Sequence, residues 1–193
     1  MPEHYITAGG KRLRCGRTTG TCAAMAAAGA VRLLLTGRAP DLISLNTPRD
    51  WMVEAPLLDC VADGETAACS VEKDGGDDVD ATHGLPIRAT VRRRAEGGTA
   101  ILGGPGVGRV TRPGLDQPPG AAAINSTPRR MIQEQLEAAA ARAGYAGGLR
   151  AVISVPTGEA LAGRTFNPRL GIEGGISILG TSGIVRPMSE AAL

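Results

Sequence analysis

The chain has 193 residues, enough for one well-buried domain with some length left for a second element. Its 42% hydrophobic and 21% charged residues exclude wholesale disorder. A net charge of +2 and 2% aromatic residues give no general drive toward nucleic acid, membranes or base stacking, whereas 28 glycines and 13 prolines imply many backbone positions set by turns or close approach.

The first predicted element is a helix over the small-residue run 22–35, with Thr19 or Thr21 as N-cap and Gly37 as its C-terminal stop. The run contains Gly29 and Arg32 and is too short to span a bilayer, so it reads as a buried helix able to pack very closely on a sheet. Just before it, Thr18, Thr19, Gly20 and Thr21 put three hydroxyls and a glycine at a helix N-terminus, where free N–H groups and the helix dipole favour an anion. Plain N-capping explains the same residues equally well, and the spacing is not that of a P-loop.

Apolar patches at 42–45, 51–58, 67–71 and 87–91, separated by turn formers, predict strands and hairpins in a mixed or antiparallel sheet. Between the third and fourth lies Lys73-Asp74-Gly75-Gly76-Asp77-Asp78-Val79-Asp80, four carboxylates in eight positions. Neither register supplies the glycine and glutamate of a calcium loop. A solvated turn needs only one or two acids, and like charges this close repel, so the cluster reads as a site able to bind ribose hydroxyls, stabilise a cation or accept a proton.

The Gly/Pro-rich region 97–128 exceeds an ordinary connection and reads as ligand-shaped, with a short strand at Ile101-Leu102. Its GGPGVG, residues 103–108, looks superficially like a dinucleotide fingerprint, but Pro113 and Pro118 stand where the following helix belongs. Pro128 then opens a second helix over 129–142, and 151–155 reads as a buried strand. Asn125 and Asn167 read as turn formers, and Arg169 as the better candidate for holding a carboxylate. At the end, 176–179 reads as a buried strand, 180–183 as a tight loop, and 187–193 as the start of a helix too short to stand alone, so a polypeptide continuing past Leu193 is expected.

The four cysteines form no C-x-x-C pair and the two histidines lie far from any ligand spacing, so no metal site is expected. Without a secretory signal they read as reduced thiols in a cytoplasmic protein. Only Lys11 and Lys73 among the 21 basic residues are lysine, a bias consistent with GC-rich coding or with bidentate carboxylate recognition by arginine.

Six segments, TTGTCAA (18–24), KDGGDDVDATHG (73–84), GGPGVGRVTRPGL (103–115), AINSTPRRMI (123–132), SVPTGE (154–159) and TFNPRLGIEGGISILGTSGIVRPMS (165–189), resemble CbiD motifs in the same order. The chain departs from that family's usual residues at Cys15, Arg17, Val79 and Ser126-Thr127. The resemblance implies S-adenosyl-L-methionine-dependent methylation of cobalt-precorrin-5B at C-1, giving cobalt-precorrin-6A in anaerobic cobalamin biosynthesis. It also implies a small-molecule tetrapyrrole substrate, with no nucleic acid or membrane partner; homo-oligomer formation stays open. The expected fold is α+β, a mixed or antiparallel sheet packed with two main helices over 1–175, leading at 176–193 into a second α/β domain.

On that resemblance, Asp77 and Asp78 are expected to be catalytic. Thr18, Thr19, Gly20, Thr21, Gly106, Gly108, Arg109 and Arg169 are expected to contact substrate, and Asp80, Gly180, Thr181, Ser182 and Gly183 the methyl donor. A second reading from a different class is a non-catalytic corrinoid or tetrapyrrole-binding module. A nicotinamide-dependent oxidoreductase, resting on the glycine loop alone, is a distant third.

Overall fold

Strands at the start of the chain were not anticipated by the apolar pattern. In the computed structural model, which describes residues 3–187, β1 (Tyr5–Ala8) and β2 (Lys11–Arg14) form an antiparallel hairpin turned by Gly9 and Gly10, both at positive φ. The short β3 (Gly16–Arg17) then leads into α1 (Thr19–Thr36). Thr18, not Thr19 or Thr21, is the N-cap, its Oγ1 accepting from Thr21 N at 3.2 Å; Gly37 closes the helix in the left-handed region as expected.

Next come β4 (Leu42–Asn46) and β5 (Met52–Pro56), an antiparallel hairpin whose Ile43, Leu45, Val53 and Ala55 alternate inward. β6 (Leu58–Ala62), β7 (Thr66–Glu72) and β8 (Pro86–Arg94) follow, then β9 (Thr99–Gly103) and β10 (Arg109–Val110). After α2 (Ser126–Arg142) come β11 (Gly148–Ser154), the short helices α3 (Gly158–Ala162) and α4 (Asn167–Leu170), and two short strands, β12 (Ile172–Glu173) and β13 (Ile184–Val185).

The main sheet has the order β6-β7-β8-β11-β9, antiparallel throughout except for the β11–β9 pair, so the expected mixed sheet is present. α2 makes the connection that this parallel pair requires. Both long helices lie together on the sheet, and α1 is buried on nearly every side between sheet, α2 and the β4–β5 hairpin. Its length and composition would suit a membrane span, but most of it is enclosed by the fold. Such enclosure needs small residues: a Cβ at Gly29 would come within 2.5 Å of Leu57 Cδ1.

Two further details depart from the sequence reading. α2 begins at Ser126, three residues early, because Pro128 falls at the third helical position, where a missing N–H has no intrahelical partner to lose. Residues 176–179 are not a strand. Ile176 makes an isolated parallel bridge to Val107 and Ile178 another to Ile124, because two separate loops, each too short for a ladder, take the backbone groups on either side. Ile176, Ile178 and Ile184 share one core with α1 and the main sheet. The helix expected from 187 onward lies outside the described residues apart from Pro187.

Candidate active-site cleft

The acidic loop between β7 and β8 is pinned at both ends. Asp74 receives a bidentate hydrogen bond from the Arg14 guanidinium at 2.6 and 2.9 Å and one from Gly76 N at 2.9 Å, with Arg17 Nη1 3.7 Å away. Burial pushes this carboxyl upward, but the Arg14 bond, the Gly76 N–H and the two guanidinium charges outweigh it and bring its pKa down to about 2. Asp77 Oδ2 accepts from Arg14 N at 2.7 Å while Asp77 N donates to Arg14 O, and Cys15 bridges Gly76. The loop is thereby tied to the strand that enters α1. Two glycines make this possible: a Cβ at Gly16 or Gly76 would collide with the facing backbone.

At the far end of the loop, Lys73 Nζ donates to Asp80 Oδ2 at 2.6 Å, and Asp80 Oδ1 accepts from both N and Oγ1 of Thr82, at 2.7 and 2.6 Å. Desolvation works upward on Asp80, yet the Lys73 and Thr82 bonds prevail and hold it below the usual carboxylate range. The Lys73 side chain is only 2% exposed.

This pair lies on the wall of a cleft of about 760 Å³, within the range of small-molecule sites. Thr18 and Thr19 from the start of α1, Lys73, Asp78, Asp80 and Thr82 from the acidic loop, and Asn167, Ser177 and Arg164 supply its polar groups. Phe166, Leu170, Ile176, Leu179, Val79 and Val185 supply the apolar ones. Phe166 is 72% exposed and Leu170 53%, an apolar edge open to solvent at the cleft. Asn167 is buried and its Oδ1 accepts from Ser177 Oγ at 3.1 Å, so it fastens α4 to the 176–178 segment in addition to turning the chain.

Of the residues singled out from sequence, Thr18, Thr19, Asp78 and Asp80 meet on this cleft. Gly20 and Thr21 sit just behind it and are engaged by the closing segment. Gly20 N donates to Leu179 O at 2.9 Å, Thr21 Oγ1 to Gly183 O at 2.7 Å, and Thr19 Oγ1 takes part with Ser177 O and Leu179 N. Gly180 presses against Thr18 and Gly183 against Thr47 beside Thr21, where a Cβ would clash, and Ser182 Oγ caps Ile184 within the same turn. Thr181 is exposed beside them. Asp77 is at the opposite side of the acidic loop, on the Arg14 backbone.

The glycine loop lies elsewhere. Gly106 is at φ +74, and a Cβ there would overlap the Val155 carbonyl, while Gly158 and Gly175 each approach the Gly106 carbonyl. Gly108 packs on Ile172 and its neighbour Arg109 donates to Gly120 O at 2.9 Å, so this segment is a tight backbone junction under the cleft-forming chain. Arg169 is exposed with its guanidinium 5.8 Å from the Phe166 ring centroid. Sequence reasoning missed Lys73 as a site residue. The available signal was its rarity, one of two lysines where arginine supplies the other 19 basic residues.

The CbiD family profile matches residues 6–187. The chain belongs to the CbiD family. It is 53% identical over 193 residues to a cobalt-precorrin-5B C(1)-methyltransferase of Ruminiclostridium cellulolyticum, a match covering 99% of this chain and 50% of the relative. Identity to the enzyme of the same name from Geobacillus thermodenitrificans is also 53%, over 94% of this chain and 49% of that one. A crystal structure of the cobalamin biosynthesis protein CbiD from Archaeoglobus fulgidus superposes with a TM-score of 0.73 at 34% identity, covering 97% of this chain and 60% of the other. The chain therefore spans about half the length of the curated CbiD relatives it matches.

Proposed function

We propose that this CbiD chain works in the S-adenosyl-L-methionine-dependent methylation of cobalt-precorrin-5B at C-1, yielding cobalt-precorrin-6A, and that the 760 Å³ cleft is where it takes part. The observation that carries this reading is convergence. The threonine motif at 18–21, the acidic loop at 73–84 and the segment 164–179 are far apart in sequence, yet all three contribute to one cleft. The names of relatives 53% identical supply the substrate and the methylated position.

The methyl donor supplies an electrophilic sulfonium methyl, so no covalent protein nucleophile is needed and the protein's task is alignment. Asp78 is the acidic side chain on the cleft suited to accept the proton released from the ring. Arg164 offers a guanidinium for the carboxylate arms of the macrocycle, while Thr18 and Thr19, their hydroxyls engaged within the fold, shape the cleft wall at the start of α1. Asp77 positions this machinery by holding the loop against Arg14. Incubating the full-length polypeptide with cobalt-precorrin-5B and methyl-labelled donor should give label at C-1, and Asp78→Asn should lower kcat while leaving donor affinity intact. Binding of both compounds without label transfer by the full-length polypeptide would sink the catalytic reading, and unchanged turnover in Asp78→Asn would remove that residue from the chemistry.

A further inference from the structure

The ion pair on the cleft wall has capacity left over. An ammonium carries three N–H donors, and the one hydrogen bond that Lys73 Nζ makes among the described residues is to Asp80 Oδ2. On Asp80, Oδ1 already accepts two bonds from Thr82, so Oδ2 is the oxygen with an acceptor site remaining. A positive and a negative group thus stand side by side, oriented by Thr82, with complementary valences unused and with both residues lining the cleft. Taking an ammonium out of water is costly, and a chain that uses arginine at 19 of 21 basic positions keeps a lysine here. A compact ammonium on a flexible stem can meet one carboxylate of the protein and one of a ligand at the same locus, its three donors turning to suit both.

The ligand chemistry that matches adjacent opposite charges is an α-amino acid group, whose ammonium and carboxylate sit on one carbon. We propose that Lys73 and Asp80 read the amino-acid end of the methyl donor, Lys73 Nζ meeting its α-carboxylate and Asp80 Oδ2 its α-ammonium in an alternating square of charge. Phe166, Leu170, Ile176 and Leu179 offer the apolar wall for the rest of that molecule. The inference rests on the methyltransferase reading and adds to it a location and a recognition element for the donor.

The test uses the full-length polypeptide and isothermal titration with two probes: S-adenosylhomocysteine, which carries the amino-acid group, and 5′-methylthioadenosine, which lacks it. The wild type should bind the first more tightly. Lys73→Met and Asp80→Asn should each lower its affinity at least about tenfold while leaving 5′-methylthioadenosine within about twofold. The double variant should do the same, and because it leaves neither charge buried alone it guards against a simple loss of folding. A folded double variant that still prefers S-adenosylhomocysteine overturns the inference and leaves the methyltransferase reading standing. Equal loss of both probes also overturns it, since that marks a merely structural pair. A wild type that binds neither probe overturns the donor site itself.

Discussion

Replacing Asp74 by Asn removes the one negative charge that meets Arg14 bidentately and faces Arg17 at 3.7 Å, while keeping the side chain's size and one acceptor oxygen. A carboxyl that ionises at about 2 in the fold against an ordinary 3.8 contributes about 2.4 kcal/mol at neutral pH. Asp74 is 19% exposed, so screening brings the figure to about 2 kcal/mol. The folded-state pKa is lowered, so this stability is fully present above 3.8 and is lost as pH falls toward 2. About half should remain at pH 3. Urea denaturation of wild type and Asp74→Asn at pH 7, 5, 4 and 3 should therefore show a gap of about 2 kcal/mol at pH 7 and 5, narrowing to about 1 at pH 3. A gap that does not change between pH 7 and pH 3 would refute the electrostatic account and leave only packing. The same variant should weaken ligand binding at neutral pH, because Asp74 anchors the loop that carries Asp78 and Asp80 to the cleft.

Gly106→Ala should be among the most damaging single changes, since the position combines a positive φ with direct overlap on the Val155 carbonyl. A loss of about 3 kcal/mol or more, read as a melting midpoint lower by about 10 °C or as insoluble protein, is expected. Thr21→Val deletes the buried hydroxyl that donates to Gly183 O and should cost about 1–3 kcal/mol by chemical denaturation, with Thr21→Ser recovering most of it. Phe166→Ala, at a ring 72% exposed, should leave stability within about 0.5 kcal/mol yet weaken S-adenosylhomocysteine binding several-fold by titration. Retained affinity would take the aromatic edge out of the site.

Much of the scaffold follows from local pattern. The small-residue run closing at Gly37 dictates a helix that can be enclosed on nearly every side, and inward alternation at Ile43/Leu45, Ile87/Ala89/Val91 and Leu149/Ala151/Ile153 dictates sheet strands. Ordered motifs along the chain were enough to indicate the CbiD family. These features are legible because burial in a helix or strand repeats with a period of a few residues. Residues 176–178 mislead for the same reason: their apolar run resembles a strand, but its backbone partners, Gly106, Gly108, Ala123 and Asn125, come from separate loops that no local period announces.

The candidate cleft belongs to the other category. Cluster composition singled out Asp78 and Asp80 and the helix entrance singled out Thr18 and Thr19, but only the fold separates them from Asp77, which turns away to the Arg14 backbone. Within the threonine motif, the hydroxyl of Thr19 and the groups of Gly20 and Thr21 engage a segment about 160 residues later, a contact that exists only once the long loops between are closed. By itself the sequence determined the family, the two long helices and most strands of the main sheet, all set by short-range geometry or ordered motifs. Tertiary structure alone decided that Lys73 meets Asp80 and that three distant segments share one cleft, because the relative position of loops is a product of packing and backbone hydrogen bonding across the whole chain.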